Sequence, residues 1–104
     1  MNSLSLRAQI EGGLVWGLSA ALHGRITIKD GRVEQSNFHD YPVLRMNEMP
    51  AIDIHLVESD ATPGGIGEPC SPPVAPAIAN AIFAATGVRI RTQPFPKRIP
   101  RLDA

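Results

Sequence analysis

The chain has 104 residues but a single cysteine, no excess of charge of either sign and no long apolar run, and each of these absences removes a class of protein. One cysteine, Cys70, excludes an intramolecular disulfide and offers no metal-ligand spacing. With no histidine or other base beside it in sequence, it reads as a small apolar-tolerant loop residue rather than a nucleophile. Ten Lys and Arg balance ten Asp and Glu, so net charge gives no argument for nucleic acid or an anionic membrane as partner. The distribution is uneven: Arg89, Arg91, Lys97, Arg98 and Arg101 stand against Asp103 alone in residues 88–104. Only Phe95 is interleaved with those charges, which favours a solvated basic tail over a nucleic-acid surface. No apolar run is long enough to span a bilayer, and MNSLSLRAQIEGG lacks the charged segment and long apolar run of an export signal. The compartment, cytoplasmic or periplasmic, is left open. His23, His39 and His55 show neither HxH nor HxxxH spacing, so no metal ligands are assigned, and GGIG lacks the Lys-Ser/Thr of a phosphate loop.

What is present orders itself as helix, hairpin, strand, loop, helix, strand. Residues 9–23 carry Ile10, Leu14, Leu18 and Leu22 at helical spacing, with Ser3 or Ser5 as candidate cap. One position back, Gln9, Gly13, Gly17 and Ala21 form a second row. Each glycine lowers helix propensity by about 1 kcal/mol, so this row implies close packing by another element or by a ligand. Ile26 and Ile28 alternate with polar residues, Asp30-Gly31 supplies a hairpin turn, and Arg32 to Ser36 returns. Residues 37–50 are irregular, with 41–46 a candidate extended piece. Ile52, Ile54, Leu56 and Val57 predict a strand over 51–58, and 88–92 a shorter one. Residues 73–85 are apolar nearly all round, which predicts a buried helix whose regular part starts near Val74 and ends at Gly87. Residues 93–104 read as a tail. The expected fold class is α+β, in one domain spanning 1–104 without repeats. An all-apolar helix needs cover on every side, and one glycine-faced helix with a few short strands cannot give it. The expectation is therefore a piece that packs against more protein.

Between the strand and the second helix lies a long Gly/Pro loop, and loops of this kind in ordered domains are usually functional. It holds GGIGEPCSPP at 64–73, with one carboxylate, Glu68, between Gly67 and Pro69. A residue before proline is pushed to extended backbone, which restricts where its side chain points. The following helix N-terminus would favour the ionised carboxylate, while apolar enclosure would raise its pKa toward that of a general base. The residues alone leave both effects open, together with the plainer reading of an exposed loop glutamate.

QIEGG at 9–13, NFHDYPVLRMNEMP at 37–50 and GGIGEPCSPPVAPAIANAIFAATG at 64–87 together resemble the C-terminal end of the large subunit of molybdenum hydroxylases, the xanthine dehydrogenase and aldehyde oxidase superfamily. The likeness extends to the isoquinoline 1-oxidoreductase beta-subunit type and covers about 6–95, with 96–104 as tail. It implies that Glu68 is the catalytic base toward a water-derived hydroxyl, with water as oxygen source. It also implies that Gln9, and by a weaker correspondence Gly67, contact a molybdopterin cytosine dinucleotide, and that aldehydes or N-heteroaromatic compounds are substrates. Electrons would leave through iron–sulfur clusters on a small partner subunit. Large subunits of this family are several times longer, so the remainder of the subunit is an expected partner, and the chain alone is expected to be inactive. A second reading is a noncatalytic interaction module that binds a partner through the apolar helix 74–86.

Overall fold

The computed structural model describes residues 2–99. Helix α1 (Ser3–His23) is longer than the expected 9–23, because its cap is Asn2 rather than either serine: the Asn2 side chain accepts from the N–H groups of Leu4 and Ser5 at 3.0 and 3.1 Å. Gly24 ends α1, its N–H donating to the carbonyls of Ser19 and Ala20. Helix α2 (Val74–Thr86) begins where the prolines run out and ends at Gly87, which adopts the left-handed conformation expected of it at φ 73°.

Strands β1 (Ile28–Lys29) and β2 (Arg32–Val33) pair antiparallel, Ile28 opposite Val33. Asp30 and Gly31 both take positive φ, 49° and 74°, as the two-residue hairpin turn requires. Beyond the ladder the pairing is continued by Glu34 N–H to the Thr27 carbonyl and by the Gln35 amide, which bonds both the Thr27 N–H and hydroxyl. The expected strands over 51–58 and 88–92 do not form as such. Their alternation is real, since Ile52 and Ile54, and again Val88 and Ile90, are less exposed than their neighbours. Ladder hydrogen bonds need a neighbouring strand, and the only sheet among the described residues is the hairpin itself. The 41–46 stretch leads into a 3-10 turn at Met46–Glu48.

The two helices pack on each other through the small row of α1: Gly13, Gly17 and Ala21 are its buried residues, while the leucine stripe is only half-buried. A side chain at Gly17 would lie 2.7 Å from the Ser71 carbonyl and 2.7 Å from Val74 Cγ2; one at Gly13 would lie 2.9 Å from Cys70 Cβ. The glycine row is thus filled by the chain's own 70–74 segment, which settles between the two readings of it. The expected tail is tied down at its start. Phe95 is buried and its N–H donates to the Ala21 carbonyl at 2.8 Å, and Arg89 stacks on Phe83 at 3.8 Å and bonds Asn80. Arg101 and Asp103 of the expected basic tail lie outside the described residues.

The core is small. Among the described residues Ala21, Leu44, Val74 and Phe95 are the buried hydrophobic ones, and no large side chain is fully buried. The radius of gyration is 16.9 Å, against about 13 Å for a compact chain of this length. Helix α2, expected to be buried, has only Val74 in the core, and Phe83 is 41% exposed. Among the described residues no helix is long and apolar enough to cross a membrane.

Candidate active site

The segment that carries Glu68 is held against α1 at two points. Ahead of Glu68, the Gln9 side-chain amide donates to the Gly67 carbonyl at 3.3 Å, toward the long end for such a bond. Behind it, the Ser71 hydroxyl donates to the Gly13 carbonyl at 2.8 Å. Gln9 and Gly13 are one turn apart on the same face of α1, about 6 Å along its axis. Between the anchors, Ser71 N–H donates to the Glu68 carbonyl at 3.0 Å, closing a turn with Pro69 at its second position, where a fixed φ is favoured. Val74 N–H then bonds the Ser71 carbonyl at 3.3 Å and α2 starts.

The structure therefore brings together all three residues singled out from sequence, Gln9, Gly67 and Glu68. The carboxylate of Glu68 is exposed, so neither enclosure by apolar residues nor capture by a helix end acts on it within this chain. The start of α2 is also a poor anion site. Val74 N–H is taken by Ser71, Ala77 N–H bonds the Pro73 carbonyl, and Pro76 has none to give. Gln9 sits nearly two turns inside α1, so the helix N-terminus cannot act on a ligand there; its side-chain amide is what it offers.

Gly64, Gly65 and Gly67 differ from Gly13 and Gly17 of α1. A side chain built at any of them would meet nothing within 4 Å, and none has positive φ. Neither packing within the chain nor backbone conformation calls for glycine there. The loop thus presents bare backbone to open space beside the Gln9 amide, which retains one N–H and its carbonyl oxygen. That surface fits the approach of a bulky polar group from outside. A groove of about 800 Å³, lined by Ser3, Leu6, His55, Leu56 and Gly64 among others, stops short of Gly67 and includes neither Gln9 nor Glu68. It lies between α1 and an extended segment without a strand partner, and its shape carries less weight than the chemistry at Glu68. Among the described residues no three His, Cys, Asp or Glu side chains gather as metal ligands. Cys70 is half-buried with its Cβ against Gly13, a packing role.

Sequence reasoning missed Ser71, Ser19 and Asn2. Ser19 Oγ accepts from Leu44 N–H at 2.8 Å and ties the irregular segment to α1. His23 and Arg45 N–H both bond the Glu48 carboxylate at 2.9 Å, and that carboxyl is held below the usual range, first by the Arg45 N–H and then by His23. Asp40 is likewise lowered by the N–H groups of Asn37 and Ser36. The small row of α1 was the available signal for Ser71, since whatever fills it must touch backbone.

Comparison with known proteins relates the chain to molybdopterin-binding proteins. The model of the molybdopterin cofactor-binding domain family matches residues 1–50, which include Gln9 but not Glu68. Over 90 residues, 86% of the chain, it is 44% identical to isoquinoline 1-oxidoreductase subunit beta of Brevundimonas diminuta, covering 12% of that protein. It is 43% identical over 88 residues, 85% of the chain, to a membrane-bound aldehyde dehydrogenase (pyrroloquinoline-quinone) of Gluconacetobacter polyoxogenes, covering 11% of it. A putative xanthine dehydrogenase molybdenum-binding subunit of Escherichia coli is 36% identical over 107 aligned positions, 95% of the chain and 14% of that subunit. The chain is thus similar over most of its length to subunits of molybdenum hydroxylases, and spans about an eighth of the length of these relatives.

Proposed function

We propose that this chain supplies the general base and part of the cofactor contact of a molybdopterin-dependent oxidoreductase that hydroxylates aldehydes or N-heteroaromatic compounds with water as the oxygen source. The observation that carries the reading is Glu68, exposed on a turn clamped at both ends to α1 beside an open glycine surface. The family match over 1–50 and the relatives' names support the cofactor class, although one relative's name carries a quinone instead.

When bound, the molybdenum cofactor, in its cytosine dinucleotide form, supplies the oxygen-transfer and two-electron redox chemistry. Gln9 would hold it through its free amide N–H and oxygen, with the bare backbone around Gly67 allowing close contact. Glu68 takes the proton of the water-derived nucleophile. Pro69 and the Ser71 N–H limit drift of its backbone, which a base needs if it is to stay within hydrogen-bond reach of that proton. Enclosure of Glu68 then has to come from the remainder of the subunit. Iron–sulfur clusters on a small partner subunit would accept the electrons.

In the molybdenum-loaded complex containing this chain, Glu68→Gln should lower turnover by about a thousandfold while molybdenum content stays near normal. Turnover within threefold of wild type would remove Glu68 from the role. The exposed face of α2 favours a second reading, a noncatalytic module docking through 74–86. It predicts a partner-binding chain in which Glu68→Gln changes nothing.

A further inference from the structure

We infer that Ser71 is a positioning residue for Glu68, acting through the carbonyl of Gly13. This rests on the reading of Glu68 as base. The Ser71 hydroxyl reaches the α1 backbone at 2.8 Å, and the Ser71 N–H holds the Glu68 carbonyl at 3.0 Å. One residue thus joins the helix to the turn that bears the carboxylate. The contact is tight because Gly13 has no side chain: a Cβ there would sit 2.9 Å from Cys70 Cβ and 3.7 Å from the Ser71 hydroxyl. Gly17 does the same one turn on, where a Cβ would lie 2.7 Å from the Ser71 carbonyl, the group that starts α2. Gln9 holds the other side of the turn only at 3.3 Å, and in the proposed function its amide is shared with the cofactor. Ser71 is therefore the anchor that remains when a ligand takes Gln9. The residue acts only on where Glu68 stands, since its own hydroxyl is part-buried and turned to α1.

The test uses the loaded complex and four forms of it: wild type, Ser71→Ala, Ser71→Thr and Glu68→Gln. Ser71→Ala should lower kcat about tenfold with KM and molybdenum content unchanged, as expected when a base is displaced by a fraction of an ångström. Ser71→Thr, which keeps the hydroxyl, should return kcat to within about threefold of wild type. The acid limb of the kcat–pH profile should move in Ser71→Ala and coincide with wild type in Ser71→Thr. Hydrogen exchange of the Ser71 amide, read in the complex without its cofactor as well, should speed up in Ser71→Ala alone. Wild-type kcat in Ser71→Ala, a loss confined to KM, or a threonine variant as impaired as the alanine one would each overturn the positioning role. An active Glu68→Gln complex overturns the underlying reading instead, and an inactive one with a fully active Ser71→Ala overturns only the role of Ser71.

Discussion

Two regions of the molecule are held in opposite ways. Where α1 meets the 67–74 segment, that segment rests on bare helix backbone: the glycines at 13 and 17 admit Cys70, Ser71 and Val74 closer than any side chain would permit. In the hairpin and the 51–66 segment, side chains are held away from the rest. Ile28 is 71% and Val57 90% exposed, and the hairpin pairs with no third strand among the described residues. A lone two-stranded hairpin is marginal in water. The first region is therefore closed by contacts within the chain, and the second leaves apolar side chains in the open. The Glu68 turn sits on that first side.

The largest effect expected of breaking this contrast is at Gly17. Gly17→Leu would drive a side chain into the Ser71 carbonyl and Val74, and overpacking of this kind costs about 1–3 kcal/mol or more. Hydrogen-exchange protection across α2 should fall to that of the loops; protection equal to wild type would mean that the glycine row is not what seats α2. Asn2→Ala comes next, with a loss of about 1 kcal/mol at the start of α1. It should be visible as faster exchange at the Leu4 and Ser5 amides and nowhere in α2. An unaltered exchange rate there would remove the cap.

Acidification gives a smaller, local effect. The carboxyls of Glu48 and Asp40 have pKa values lowered in the folded chain, so their contribution is present above the ordinary carboxylate range and is lost as pH falls through the folded values. Below that range the Met46–Glu48 turn should loosen from the end of α1, where His23 meets Glu48, while the Glu68 turn keeps its anchors. Amide shifts of Arg45 and Asn37 against pH would show it, and an equal shift of the Ser71 amide over the same pH range would contradict it. The smallest effect belongs to the open region. Val57→Ser should change the stability of this chain by no more than about 0.5 kcal/mol, because the side chain is already in water. In the assembled complex the same change should weaken association, and equal behaviour in both settings would end the contrast.

Much of this was legible in the sequence. The Asp30-Gly31 turn, the apolar helix from Val74, the Gly87 stop and the close approach implied by Gly13 and Gly17 all follow from local rules. The strand periodicities at 51–58 and 88–92 were also there, but a strand is a pairing, and periodicity says nothing of whether a partner exists within the chain. The start of α1 was misplaced because a cap is recognised by its bond to N–H groups, and two serines nearby made the asparagine easy to pass over. Gln9 and Glu68 were picked out by resemblance to a family, whereas Ser71 belongs to no obvious motif and was found only by its contact.

By itself, then, the sequence determined the helices, the hairpin turn and the restrained backbone beside Pro69, since those depend on residues a few positions apart. Only the tertiary structure decided that Gln9 meets Gly67 and that Ser71 meets Gly13, contacts that each span 58 residues of chain. Local propensity fixes dihedral angles and helical faces. Which distant backbone fills a glycine groove is set by the packing of the whole, and here that packing puts the carboxylate of Glu68 on a turn tied to α1 on both sides.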